Sequence, residues 1–499
     1  MDCQNLVLIA PGVVVLYICA GLIVSSIEAH QFMRAKGCLP PAKVPQAERI
    51  IGYGLYKTIK SKQGKKTSLE EGLKRTLSSG YTASAVVMGQ HVITTADPEN
   101  IKAILATNFK DFGLGQRIDA FGPFLGSGIF TADGIQWQHS RALIRPSFTK
   151  AQLAQLETIE THIQNLLARI PTDGSTVDLQ PLFFNFTLDS ASEFLFGHSI
   201  NSQLALEGSE SQAFSRAFDM AQAHLLIRVR IGRFRALLRE TKFRDACKIV
   251  HGFADKYIAQ ALERPPETAK LERYNLLNEL VKETTDPTQL RNELLSVMLA
   301  ARDTTASLLS SVFHALARNP RVWHKLREEV DALGGSLPDY TALKDMQYLK
   351  SVLNETLRLF PPVPVNIRYA TTHTTLPCGG GADGKAPAFV PKGTMMHFSV
   401  YSIHRLPAVY GPNANDFFPE RWAADAEGGP LRPGWAFVPF NGGPRICVGQ
   451  QLALTEASYT IVRLMQTFRK IENCDPGPWR EKLALVLTSS EGTKVALKL

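Results

Sequence analysis

From residue 50 to its end at residue 499 the chain has no Gly/Ser-rich linker, no block of like charge and no internal repeat. Length alone would suggest roughly two to four domains, but without a boundary signal one large domain over 50–499 is the expectation. Cysteine is scarce and shows no paired spacing. There are seven, an odd number, so no disulfide framework is implied and the main part of the chain belongs in a reducing compartment. The sequon Asn185-Phe-Thr187 is then expected to stay unmodified. Acidic residues are the minority, 46 Asp and Glu against 55 Lys and Arg, for a net charge of +9. Such a balance suits nucleic acid, anionic lipid or an acidic protein partner, and nothing in the motifs favours nucleic acid.

The N-terminus also lacks the basic segment that precedes the apolar stretch of a cleaved signal peptide. Asp2 stands before the apolar run Leu6–Val24, whereas Arg34 and Lys36 follow it. The run is just long enough to cross a bilayer, and the charge bias keeps its C-terminal side cytosolic. Residues 1–30 are therefore expected to be a transmembrane anchor. Residues 31–49, with Pro40, Pro41 and Pro45, read as a stiff linker.

Near the C-terminus stands Phe440-Asn-Gly-Gly-Pro-Arg-Ile-Cys-Val-Gly449. A thiolate that ligates haem iron must be deprotonated, screened from water and given hydrogen-bond donors. Gly442 and Gly443 permit a tight turn with positive φ. Gly449 opens a helical pattern whose N-terminal amides can approach the Cys447 sulfur. Arg445 can reach a haem propionate. The bland alternative, a buried free cysteine, is accepted for Cys3, Cys19, Cys38, Cys247, Cys378 and Cys474.

The pattern F-x-x-G-x-R-x-C-x-G resembles the signature of the cytochrome P450 family. Other segments match in the family's order: Trp137-Gln-His-Ser-Arg141, Ala300-Ala-Arg-Asp-Thr-Thr305, Glu355-Thr-Leu-Arg358 and Pro419-Glu-Arg421-Trp. The resemblance spans the chain from about residue 40. It implies a mainly α fold with small β-sheets, a triangular helical prism with haem b between a long central helix and the cysteine-loop helix. Cys447 would be the axial iron ligand, with Phe440 in its loop. Arg445, Trp137, Arg141 and Arg368 would hold the propionates, with Arg117 a weaker candidate. Glu355, Arg358 and Arg421 would form a structural network. By itself an E-x-x-R is expected about once by chance in a chain this long; the following Phe360-Pro-Pro362 and the downstream Arg421 give it weight.

The apolar pattern from Glu293 through Ala317 marks the central helix, ending at Asn319-Pro320. Arg302, Asp303, Thr304 and Thr305 interrupt it, and polar groups buried in mid-helix cost free energy unless partnered or employed. One reading is a surface turn. The other, which the resemblance implies, has Asp303 relaying protons and Thr304 steering them to bound dioxygen. Ala301 stands where the family usually has glycine, so its methyl narrows the oxygen groove. Ala300 stands where related fatty-acid hydroxylases often carry a glutamate esterified to haem, so no covalent haem link is expected.

The implied activity is monooxygenation of a lipophilic substrate using O2 and electrons from an NADPH-dependent flavoprotein reductase, with cytochrome b5 as a further donor, on the cytosolic face of the endoplasmic reticulum. Arg141, Arg145 and Lys150 would suit docking of the acidic reductase. Arginines interleaved with apolar residues from Arg228 to Arg239 suit either a membrane-facing lip or an ordinary solvated helix. A haem-thiolate isomerase or dehydratase without O2 activation, and a non-catalytic haem sensor, are the alternatives. The Asp303-Thr304 pair argues against the first, and the anchor and docking charges against the second. Asp111-Phe-Gly-Leu-Gly-Gln, Gly126-Ser-Gly-Ile-Phe-Thr-Ala-Asp-Gly and the Gly379–Gly381 run resemble the fungal alkane and fatty-acid hydroxylase branch, whose members also tailor polyketides and terpenoids. Gly379–Gly381 read structurally as a loose hairpin turn.

Overall fold

The computed structural model describes residues 20–21, 23–154, 156–232, 235, 238–263, 274–426 and 428–499, without the side chains of 149–154 and 230. Most of the expected membrane span lies outside these residues. Among the described residues, no helix is long and apolar enough to cross a membrane. Helices dominate and the sheets are small.

The chain forms two compact units. The first joins residues up to 60, 72–113 and 367–399. Its centre is a five-stranded sheet in the order Thr82–Val87, Gln90–Thr95, Met395–Ser399, Val365–Ala370, Phe112–Gly113. The first two strands form an antiparallel hairpin, and the second runs parallel to Met395–Ser399. The proline-rich segment does more than space. The Leu39 amide donates to the Pro387 carbonyl (2.9 Å), and Ala42 and Val44 bond to Ser84 on both sides (2.7 and 2.8 Å). Proline suits such an edge because it has no donor to waste.

This docking corrects the loose-turn reading of the triple glycine. A Cβ on Gly379, which sits at φ +101°, would lie 2.6 Å from the Thr82 side chain, and one on Gly380 would lie 2.3 Å from the Pro387 carbonyl oxygen. Gly379 is required by its positive φ and the Thr82 side chain, and Gly380 because backbone packs on backbone there.

The second unit comprises 61–71, 114–366 and 400–499. Its axis is the central helix Pro287–Arg318. Asp286 caps it, accepting from the Thr288 amide at 2.9 Å, and Pro287 occupies the first turn, where its missing N–H is not needed. It stops at Asn319 because Pro320 opens the next helix. Apolar residues lie on most sides of the helix, as they must when neighbours cover nearly all of it. Its N-terminal half, with Leu294 and Met298, packs into a cluster with Phe124, Phe218 and Phe243. Its C-terminal half, with Leu309, Val312 and Phe313, enters another with Phe183, Ile461 and Val462. Each fully buried side chain of this size contributes about 1.5–3 kcal/mol.

Candidate active site

From Glu293 to Ala317 every residue of the central helix is buried except Ala300, Ala301 and Thr304. Spaced by one, three and four, these three share one face. They mark the point where the helix opens, between the turns that feed the two core clusters. Arg302, Asp303 and Thr305 are buried, which removes the surface-turn reading. The Thr304 hydroxyl donates to the Ala300 carbonyl at 2.7 Å.

Asp303, 4% exposed, accepts from the Gln222 amide of the Glu210–Ile231 helix, and its other oxygen lies 3.4 Å from Arg302. Arg302 in turn holds Asp219 at 2.6 Å and lies over the Phe184 and Phe218 rings. Burial pushes the Asp303 carboxyl up to about 6, against the pull of Arg302 and Gln222. A carboxyl poised there can hold or give up a proton near neutrality.

The cysteine loop runs from Phe440 into the helix Gln450–Thr467, which packs against the central helix. The Cys447 amide donates to the Phe440 carbonyl at 3.0 Å, closing the loop. Gly443 has φ +62°, as expected, but Gly442 is extended at φ −161° and its partner in the left-handed region is Asn441, at φ +65°. Gly442 is required for another reason: a Cβ there would stand 2.5 Å from the Trp435 ring. Gly449 brings its N–H to the Cys447 sulfur, and a Cβ on it would meet Phe148 at 3.3 Å.

The Cys447 thiol opens into a cavity of about 380 Å³ that Arg141, Arg145, Phe148 and Val448 also line. Crowding by surrounding protein raises its pKa, while the Gly449 N–H and Arg141 oppose the rise. Arg141 donates to the Ile446 carbonyl at 2.9 Å. Arg445 pairs with Asp133 at 2.6 Å and bonds the Ala132 carbonyl. Trp137 lies between these two arginines, its ring centre 5.9 Å from the Arg141 guanidinium and 4.4 Å from that of Arg445. Burial and the nearby Arg117 and Arg141 bring Arg445 down to about 10 although Asp133 opposes this. A compact positive cluster of this kind seeks anionic company. Haem fits the donor set: one thiol with an amide at its sulfur, paired arginines for two carboxylates, and glycines where bulk would intrude.

The sequence model of the cytochrome P450 family matches residues 64–496. This chain belongs to that family. It is 47% identical to cytochrome P450 monooxygenase himC of Aspergillus japonicus, over 93% of this chain and 84% of that protein. It is 46% identical to cytochrome P450 52A13 of Debaryomyces hansenii, over 82% of each, and 44% identical to cytochrome P450 monooxygenase fsdH of Fusarium heterosporum, over 84% and 76%. The protein is thus a P450 monooxygenase, using haem held by a cysteine thiolate, and the mainly helical fold is that of the family.

The other expected residues fall as follows. Glu355 and Arg358 are both 0% exposed and joined by two 2.8 Å bonds. Arg421 (3.0 Å), the Phe418 amide and the Trp422 indole (2.9 Å each) also donate to Glu355. Arg358 continues to the carbonyls of His404 and Asp416. Arg368 lies buried in the first unit over the Phe398 ring. Arg117 lies over Phe130. The membrane-lip reading fails at Arg228, which is buried, pairs with Glu240 and donates to the carbonyls of Asp119 and Ala120. Arg233, Phe234 and the Lys150 side chain lie outside the described residues. Sequence reasoning missed Asp133, Gln222, Trp435 and Glu293. Only Asp133 had a local cue, standing in a run already singled out; the others act across the fold.

Proposed function

We propose that this P450 hydroxylates a C–H bond of a lipophilic substrate, a long alkyl or fatty-acyl chain or a polyketide or terpenoid intermediate of fungal metabolism, with electrons from an NADPH-dependent flavoprotein reductase. The observation that carries the reading is the Cys447 thiol opening into a cavity with the Gly449 amide at its sulfur. Cys447 would hold the haem iron through its thiolate, the amide and Arg141 favouring its ionised form. Arg445 and Arg141, spaced by Trp137, take the propionates with Arg368, and Phe440 closes the loop. When bound, haem supplies the electron transfer and the oxygen activation.

The chain's own residues bind, exclude and supply protons. Phe121, Ile129, Phe130 and Val297 give the distal side apolar character, which suits a lipophilic substrate. The Ala301 methyl narrows the groove beside Thr304. Thr304 Oγ1 presents a hydroxyl on the open face, and the Asp303 carboxyl holds a proton for delivery there. Glu355, Arg358 and Arg421 tie the Gln347–Leu359 helix to the segment 404–422 as a structural network. Arg141 and Arg145 supply positive charge for an acidic reductase, with cytochrome b5 as a second donor, and the Leu6–Val24 segment anchors the 50–499 domain to the cytosolic face of the endoplasmic reticulum.

The test is the absorption spectrum of the reduced, carbon-monoxide-bound protein beside that of Cys447→Ser. A strongly red-shifted Soret band in wild type, lost in the variant, establishes the ligand; a haem-loaded wild type without that band overturns the assignment. Thr304→Ala should keep the band and lose substrate turnover, which separates a monooxygenase from an O2-independent isomerase.

A further inference from the structure

Glu293 is 0% exposed and Ser296 1% exposed, yet Glu293 Oε1 and Ser296 Oγ have no hydrogen-bond partner among the described residues. A buried polar group left without a partner is destabilising, so their presence on a buried stretch of the central helix calls for a use. The other carboxyl oxygen of Glu293 is engaged. It accepts the Ile129 amide at 3.0 Å, and Ser140 also bonds the carboxyl. The loop that carries Ile129 is pressed so hard on the helix that a Cβ at Gly128 would stand 2.9 Å from Ser296 Oγ. One oxygen pins the loop, and the other is spare.

The helix places that spare oxygen in line with the open face. At 100° per residue, Glu293, Ser296, Ala300 and Thr304 fall within an arc of about 80°, and Glu293 and Thr304 within about 20°. The distance from Glu293 to Thr304 along the axis is about 16 Å, three turns. The Thr304 hydroxyl points back down this stripe, toward the Ala300 carbonyl. Asp303 faces away from this stripe, toward the Glu210–Ile231 helix, with one oxygen held by Gln222 and the other 3.4 Å from Arg302. At the far end of the stripe the Glu293 carboxyl bonds Ser140 and feels the charge of the adjoining, solvent-exposed His139, so His139 marks the side from which bulk water would reach it.

We propose that Glu293 and Ser296 form a second proton conduit to Thr304, entering beside His139 and separate from Asp303. The inference rests on the reading of Thr304 as the point of proton delivery. A proton taken up at Glu293 Oε1 from the His139 side leaves by the same oxygen through a bridging water to Ser296 Oγ, whose own proton moves on. A second water between Ser296 and the Ala300 carbonyl passes a proton to Thr304 Oγ1, which releases its own hydrogen into the open groove. Each transfer moves one proton, and no group changes oxidation state.

Glu293→Gln is the decisive variant, because glutamine can still accept the Ile129 amide but cannot exchange a proton. Infrared spectra of the full chain across acid to neutral pH should show a protonated-carboxyl band that shifts in heavy water and is missing from E293Q. With haem and reductase, E293Q should keep the thiolate–CO band but release more hydrogen peroxide per NADPH than wild type and show an altered solvent isotope effect. Ser296→Ala, which leaves the pin intact, should uncouple in the same way and decides the matter if E293Q misfolds. Identical carboxyl spectra, or unchanged coupling in S296A and in folded E293Q, overturn the conduit and leave Glu293 as a loop anchor. Thr304→Ala serves as the control: should it too stay coupled, the underlying reading of Thr304 fails and not the conduit alone.

Discussion

The side-chain amide of Gln222 donates to the carboxylate of Asp303, tying the Glu210–Ile231 helix to the central helix at the residue next to Thr304. The pair sits 81 positions apart in sequence. A donor of this kind favours the ionised form of a carboxyl that burial otherwise drives toward neutrality.

Gln222→Ala should therefore raise the Asp303 pKa further above 6 and destabilise the fold by about 1–3 kcal/mol at neutral pH, where the carboxylate would lose its donor. Below about pH 6, where Asp303 is protonated and needs the amide less, the penalty should shrink. Urea unfolding of wild type and Q222A at pH values on either side of 6 measures this, and a pH-independent penalty would rule out the mechanism.

Glu355→Gln should be far more damaging. Glu355 is the only carboxylate bonded to the fully buried Arg358 among the described contacts, and Arg421 leans on it too. Removing one partner of a buried pair leaves an uncompensated charge, at a cost of about 3–5 kcal/mol. The expectation is a large drop in folded yield and in haem retained per chain, read by soluble expression and haem content. Soluble, haem-replete E355Q at wild-type levels would contradict it.

The central helix, the cysteine loop and the Glu355–Arg358–Arg421 triangle were legible in the sequence because their signals are local. The apolar pattern from Glu293 marks the helix and Asn319-Pro320 ends it, although its actual start at Asp286-Pro287 went unread; glycines and an arginine surround Cys447 at fixed spacing. Much of what escaped was set by distance in the chain. Nothing near Gln222 says that it faces Asp303; Trp435 stands close to Gly442 in sequence, but no pattern there says that the loop folds its ring over the glycine. The same lack of range misread Gly379–Gly381 as loose, because the backbone pressing on Gly380 comes partly from Leu39, more than 300 residues upstream. Arg228 looked like a surface arginine because its partners Glu240 and the Asp119 and Ala120 carbonyls come together only in the fold.

Gly442→Ala tests the corrected role of that glycine. Since its φ is near ±180°, alanine carries no backbone penalty there; the added methyl instead meets the Trp435 ring. Overpacking of this sort costs about 1–3 kcal/mol, and the strain falls on the loop that holds Cys447. Haem content and the intensity of the thiolate–CO band should fall in G442A and recover in the double variant G442A with Trp435→Leu, which removes the ring. Failure of the second substitution to restore them would show that the ring is not what the methyl strikes.

Glu456 offers the clearest pH signature. It is buried on the Gln450–Thr467 helix, bonded to Ser190 and within electrostatic reach of His162, with one oxygen lacking a partner among the described residues. Burial raises its carboxyl from 4.5 to about 7. The folded state therefore binds the proton more tightly than the unfolded chain, so the stability this group contributes is present in full below about pH 4.5 and is lost as pH rises through 7. Glutamine keeps a polar group toward Ser190 and carries no charge at any pH. Glu456→Gln should match wild type at the acid end of the window and become more stable than it by up to about 3 kcal/mol above pH 7. Chemical unfolding of both proteins at a series of pH values gives the difference directly: a gap that opens between pH 4.5 and 7 identifies the buried carboxyl as its source, whereas parallel curves would mean that Glu456 keeps the same charge folded and unfolded.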